Sequence, residues 1–284
     1  MQEFLRGRNP RTQRAYQKDF EDFARFLGVE NIEKAARLLI ERGHGNANGL
    51  ALNYRAHLVE RKLQPSTINR RLAALRSVVA FAQTIGEIEW SLKVRNLKAQ
   101  TYRDMRGPGR AGFHQLLEAA GRERDRAILR LLHDLGLRRG EVVGLDLDDL
   151  NLDESALWIL GKGRTQKERL TLPEPTRAAL AAWIAVRGST PGALFTNRDR
   201  ARKGDGRLTG GSVWHIVREI GKRAGLITRP HGLRHSGITE ALDATNGNVR
   251  AVQRFSRHRD VRILTVYDDN RLYLAGDVAK LVAV

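Results

Sequence analysis

The chain of 284 residues contains no cysteine. Disulfides and thiolate metal sites are therefore excluded, and nothing suggests an oxidising compartment. It also lacks any run approaching ~18 consecutive apolar residues, so no transmembrane helix is expected. The opening MQEFLRGRNPRTQRAYQ lacks the apolar core of a signal peptide, and a cytoplasmic protein is the expectation. Acidic residues are too few to balance the basic ones: 32 Asp and Glu face 50 Lys and Arg, leaving +18. Such an excess repels itself in a compact fold and points to a polyanionic partner, nucleic acid ahead of a membrane surface or a ribosomal assembly. Nucleotide and metal machinery is missing as well. There is no G-x-x-x-x-G-K-[ST], so Gly161-Lys162-Gly163 is not a phosphate loop. Asp146, Asp148 and Asp149 read as a solvated helix end rather than a two-metal carboxylate cluster. His231 and His235 have a spacing that can bind zinc, but Arg234 lies between them and no glutamate follows His231, so no metal is expected.

What is present is enough apolar residue, 41%, to build cores, in a length that suits two domains. Thr12 to Leu27 places Tyr16, Phe20, Phe23 and Phe26 at helical spacing, with Gly28 as a stop. Helical patterns follow over 32–42 and 51–62. Pro65-Ser66-Thr67 opens another helix, with Ser66 as the expected N-cap and Ile68, Leu72, Leu75, Val78, Val79 and Phe81 as its apolar stripe. Its other face carries Asn69, Arg70, Arg71 and Arg76, which is either a solvated face or one that tracks DNA phosphates. From Arg95 to Gly112 the chain turns basic and glycine-rich without apolar periodicity, as a linker does. Beyond it, helices are expected over 113–120, 124–135, 138–145, 175–186, 211–224, 232–244, 249–256 and 261–268. Residues 156–160 and 168–172 flank the turn at 161–163 and predict a β-hairpin. The expectation is a mostly α (α+β) protein. A helical, DNA-binding domain spans 1–97, a basic linker 98–112, and a mainly helical domain with a small antiparallel sheet 113–284.

Four separated segments hold an unusual set of residues: Gly136-Leu137-Arg138-Arg139-Gly140-Glu141, Gly161-Lys162-Gly163, His231-Gly232-Leu233-Arg234-His235, and His258 nine positions before Tyr267. Singly, each has a plain explanation as an ion pair, a turn, a packing histidine or a core tyrosine. Together they resemble the catalytic domain of the tyrosine recombinases, the phage integrase and Xer-like family. That family reads G-L-R-x-[SG]-E, then a lysine in a β-turn, then H-x-L-R-H, then a histidine nine residues before a tyrosine. The resemblance covers residues 113–284, with Lys162 standing 24 positions after Arg138. Thr12, Tyr16 and Ser66 to Arg70 resemble the family's helical core-binding domain. One departure stands out: where the family usually has Leu-Gly-His, this chain has Ser256-Arg257-His258. That arginine would alter the helix packing there or add a phosphate contact.

The resemblance implies an enzyme that cuts and rejoins duplex DNA through a 3′-phosphotyrosine. A phosphodiester repels its attacker, so catalysis rests on placed positive charge and managed protons. On this implication Tyr267 is the nucleophile, and Arg138 and Arg234 fork onto the scissile phosphate. His231 takes the phenolic proton, His258 hydrogen-bonds the phosphate, and Lys162 protonates the leaving 5′ oxygen. Glu141 and His235 support the site. Because the covalent link conserves the ester, no cofactor is implied. The implied partners are double-stranded DNA with specific inverted sites and further copies of the chain, up to a tetramer. In that assembly the apolar tail, 268–284, docks on a neighbour or packs on its own domain. Tyr273 lies six residues too far to meet the nine-residue spacing. A type IB topoisomerase and a non-catalytic DNA-binding protein are the alternatives; loss of covalent trapping in Tyr267→Phe separates an enzyme from a mere binder.

Overall fold

A computed structural model describes residues 1–98, 107–161, 163–197, 206–267 and 274–283. The chain divides into two compact units, Met1–Thr101 and Tyr102–Val284. The first holds α1 (Gln2–Leu5), α2 (Pro10–Leu27), α3 (Ile32–Glu41), α4 (Gly43–Glu60) and α5 (Pro65–Thr84). Helical spacing brings Phe20 and Phe23 of α2 into one core with Phe4, Leu39, Tyr54, Leu58, Leu72 and Leu75. Each such side chain removed from water contributes ~1.5–3 kcal/mol. Helix α4 starts well before the expected Ala51. Its glycine- and asparagine-rich first turns are held helical because Ala47, Leu50, Ala51, Tyr54 and Leu58 share its buried face. Helix α5 is capped at Gln64, not Ser66, with Pro65 in the first turn, where its missing N–H costs nothing.

The polar face of α5, read as a solvated or a phosphate-tracking face, makes contacts within its own unit. Asn69 exchanges hydrogen bonds with the backbone of Leu97, donating at 2.9 Å and accepting at 2.8 Å. Arg76 donates to the Val94 carbonyl at 2.7 Å and to Asn96 at 2.8 Å. Arg70 pairs with the buried Asp19, and Arg71 with the buried Asp22. Asp22 also accepts from Tyr54 Oη at 2.7 Å and from Arg61 at 3.0 Å. A buried carboxylate needs this many donors to stay charged.

The second unit holds α6 (Gly109–Ala119), α7 (Glu123–His133), α8 (Arg139–Val143), α9 (Glu174–Arg187), α10 (Gly210–Arg223), α11 (Pro230–Ala244), α12 (Val249–Ser256) and α13 (Leu274–Val282). Between α8 and α9 lies an antiparallel sheet in the order β1 (Leu150–Asn151), β2 (Ala156–Leu160), β3 (Lys167–Thr171). The expected hairpin is β2 and β3, with Leu157 opposite Leu170. Strand β1 was not expected, because two residues carry no readable period. Helix α6 begins inside the stretch read as linker, and residues 99–106 of that stretch lie outside those described. Among the described residues, no helix is long and apolar enough to cross a membrane.

Helices α7 and α11 cross at Gly237, where a methyl group would overlap the His133 carbonyl, so only glycine permits this approach. At the crossing the His133 ring stacks on Phe113 and lies between two carboxylates, Asp134 at 2.8 Å and Glu240 at 3.3 Å. Burial opposes charging of His133, but hydrogen bonds to Asp134 and Glu240 and their charges outweigh it, so its pKa lies above the ordinary value. A raised histidine stabilises the fold below its unfolded value of about 6.5 and loses that contribution as pH climbs through its folded value. The melting temperature is therefore expected to fall over that rise in pH, and His133→Gln to remove this part of the slope. Equal slopes in the two proteins would contradict it.

Candidate active site

Helix α11 opens with Pro230 in its first turn, which fixes His231 at its N-terminal end and Arg234 one turn further in. Arg234 is 2% exposed, and its side chain is among the largest fully buried in the described residues. It reaches two loops at once, donating to the Gly136 carbonyl and, at 2.6 Å, to the Ser256 carbonyl. Gly136 sits in the turn after α7 with φ +53°, a conformation that glycine adopts without strain. Two residues on, Arg138 is the N-cap of α8. Glu141, in the first turn of that helix, accepts from the Arg138 backbone N–H at 2.7 Å and from its Nη1 at 2.8 Å. Backbone and guanidinium of Arg138 are thus held by one carboxylate, and the Arg138 side chain stays 31% exposed.

His258 follows the end of α12. Its Nε2 lies 3.2 Å from Arg234 Nη2 and its Nδ1 lies 2.9 Å from Ser256 Oγ. A guanidinium can only donate, so Nε2 carries the lone pair and Nδ1–H donates to the serine. Tyr267 closes the 3₁₀ segment Val261–Val266, with its hydroxyl 3.4 Å from the same Nε2. The phenol thus donates toward an acceptor that Arg234 keeps in that tautomer. The Tyr267 ring packs against His235, 4.7 Å between centroids, and its carbonyl accepts from Thr239 Oγ1 at 3.1 Å.

Electrostatics bear out a site short of negative charge. Burial, then the charges of Arg234, Arg138, His231 and Arg257, push the His258 pKa down to about 4. Burial, then Arg138 and Arg257, bring Arg234 down to about 10, still charged at neutral pH. His231 is exposed on one side. The protein behind its ring, and then Arg234, His235, Arg138 and Arg229, still lower its pKa. An anion placed among these groups would relieve each of these repulsions.

The structure brings Arg138, Glu141, Arg234, His235, His258 and Tyr267 together, with His231 at the N-terminal end of α11. Lys162 and Tyr273 lie outside the described residues. Sequence reasoning missed Ser256, which orients His258, and Thr239, which holds Tyr267; neither carries a motif. It also left Arg257 open, and the guanidinium points inward, 4% exposed, so it is not a phosphate contact in this arrangement.

Residues 112–272 match the model of the phage integrase family, and residues 3–85 match the phage integrase N-terminal SAM-like domain. The chain is 38% identical to a tyrosine recombinase of Synechocystis sp., over 100% of this chain and 94% of that protein. It is 37% identical to a tyrosine recombinase of Synechococcus elongatus, over 97% and 90%. Its fold is similar to that of the Tn1549 transposon integrase in complex with circular intermediate DNA. That match has a TM-score of 0.64 at 18% identity and covers 89% of this chain and 94% of the other.

Proposed function

The chain belongs to the phage integrase family of tyrosine recombinases, and from that membership we propose that it cuts and rejoins duplex DNA at specific sites through a 3′-phosphotyrosine on Tyr267. The observation that carries this reading is the Tyr267 hydroxyl 3.4 Å from His258 Nε2, a nitrogen itself 3.2 Å from the Arg234 guanidinium. Nucleophile, proton acceptor and phosphate-binding cation are contiguous.

In this reading Arg138 and Arg234 hold the non-bridging oxygens of the scissile phosphate. The phenol attacks phosphorus, the 3′ side stays on the enzyme, and the 5′ oxygen leaves. In place of the expected division between the two histidines, we take His258 as the acceptor of the phenolic proton, because its Nε2 lies 3.4 Å from the Tyr267 hydroxyl, and His231 as facing the phosphate from the start of α11. Phosphate binding offsets the cations that keep His258 neutral and makes it the stronger base as the proton moves. Lys162, between β2 and β3 in sequence, protonates the leaving oxygen. Attack by another 5′ hydroxyl on the phosphotyrosine restores the diester and frees Tyr267, so the cycle balances without a nucleotide or a metal. The N-terminal unit, which matches the phage integrase N-terminal SAM-like domain, also binds the duplex. The exposed Leu281 and Val282 of α13 dock on a neighbouring copy in a tetrameric synapse of two inverted sites.

A duplex nicked near the crossover tests this, because the short 5′-hydroxyl strand diffuses away and the adduct accumulates. A covalent complex is expected in the presence of EDTA. Strand scission that needs a divalent cation and leaves no protein on DNA would overturn it.

A further inference from the structure

Arg257 takes a left-handed backbone, φ +57°, at the C-terminal cap of α12, a conformation that L side chains adopt only when surroundings enforce it. Its side chain turns inward. Nη1 donates to the carbonyls of Phe255 at 2.8 Å and Leu135 at 3.2 Å, and Nη2 to those of Leu135 at 3.1 Å and Gly136 at 2.9 Å. Nη2 also lies 3.6 Å from Glu141 Oε2. In return the Arg257 carbonyl accepts from Arg138 Nη2 at 3.3 Å. The turn 135–138 and the α12 end 255–258 are therefore laced together in both directions.

Two consequences follow. Arg257 supplies both guanidinium nitrogens to the Leu135 carbonyl and joins Arg234 on the Gly136 carbonyl, and a buried carbonyl that loses its donor is costly. Glu141 is shared between two guanidiniums, so it neutralises Arg138 only in part and leaves the exposed edge of Arg138 able to meet an anion. A glycine at this position would relax the backbone but supply neither effect.

We propose that Arg257 is a positioning residue: its buried guanidinium braces the turn that presents Arg138 and shares the charge of Glu141 with that arginine. The proposal rests on the recombinase reading for its catalytic consequence, and on geometry alone for the brace. Arg257 touches no DNA in this account, so its removal separates rate from affinity.

The test compares wild type, Arg257→Gly and Arg257→Lys. In single-turnover cleavage of the nicked duplex, Arg257→Gly is expected to be at least about tenfold slower, with its dissociation constant for the same duplex within about twofold of wild type. Arg257→Lys keeps a cation near Glu141 and should recover part of the rate. Hydrogen exchange of residues 135–141 in the DNA-free proteins should rise in Arg257→Gly. If wild type forms no adduct, the recombinase reading fails, and the exchange measurement still decides the brace. Unchanged exchange and rate overturn the proposal, as does an affinity that falls in step with the rate, which would make Arg257 a phosphate contact. Should the glycine variant not fold, a lysine variant with wild-type rate and exchange overturns it equally.

Discussion

Tyr267→Phe is expected to abolish the covalent protein–DNA complex, a loss on the order of 10⁴-fold or more, while Tyr273→Phe retains it. The phenylalanine keeps the ring that packs on His235 and fills the small core of Ile238, Val252 and Leu264. It also keeps the backbone carbonyl that Thr239 holds. Only the oxygen facing His258 Nε2 disappears. Folding and DNA affinity should therefore change little, so a gel-shift of normal strength with no adduct is the signature. An adduct surviving in Tyr267→Phe would remove this residue from the nucleophile's place.

The second large effect concerns the two arginines, which should fail in different ways. Arg138→Ala is expected to lower cleavage on the order of 10³-fold with a small change in melting temperature. Its side chain is 31% exposed, and the capping contact between its backbone N–H and Glu141 survives the substitution. Arg234→Ala should lose comparable activity and stability as well. Arg234 is 2% exposed and donates to the carbonyls of Gly136 and Ser256; the alanine would remove the donor to Ser256 and leave the Gly136 carbonyl to Arg257. Arg234→Lys restores charge but not the fork that reaches both loops, so it should recover stability only in part and little activity. Equal melting temperatures for Arg138→Ala and Arg234→Ala would contradict the double role of Arg234.

Much of this was legible beforehand because it depends on short-range pattern. The apolar stripes of α2 and α5, the exact span of α12 and the β2–β3 hairpin follow from spacing and turn residues. The groups around Arg138, Arg234, His258 and Tyr267 were legible as a set only through resemblance, since nothing local says that segments so far apart in the chain converge.

What sequence could not supply was the partner of each polar group. Arg70 and Arg71 look like a surface stripe until Asp19 and Asp22, some fifty residues away, are found beneath them. The same holds for Asn69 and Arg76, whose partners lie in 94–97: the backbone of Val94 and Leu97 and the side chain of Asn96. Helix α4 began early because burial of its apolar face outweighed the weak propensity of its glycines. The tautomer of His258 is set by its contacts with Arg234 and Ser256 and by nothing in the order of residues, and the role proposed for His258 rests on it. Arg257 was visible as a departure, but its inward direction follows from a left-handed backbone that a sequence does not display.

The most direct test of the central claim is to map the amino acid that carries DNA in the trapped complex. Trypsin cuts after Arg262 and Arg271, so Tyr267 and Tyr273 fall in different peptides. After nuclease digestion, mass spectrometry is predicted to find a 3′-linked nucleotide phosphate on the peptide 263–271, at Tyr267. A nucleotide on the peptide that begins at residue 272, or one joined through its 5′ phosphate, would contradict the account.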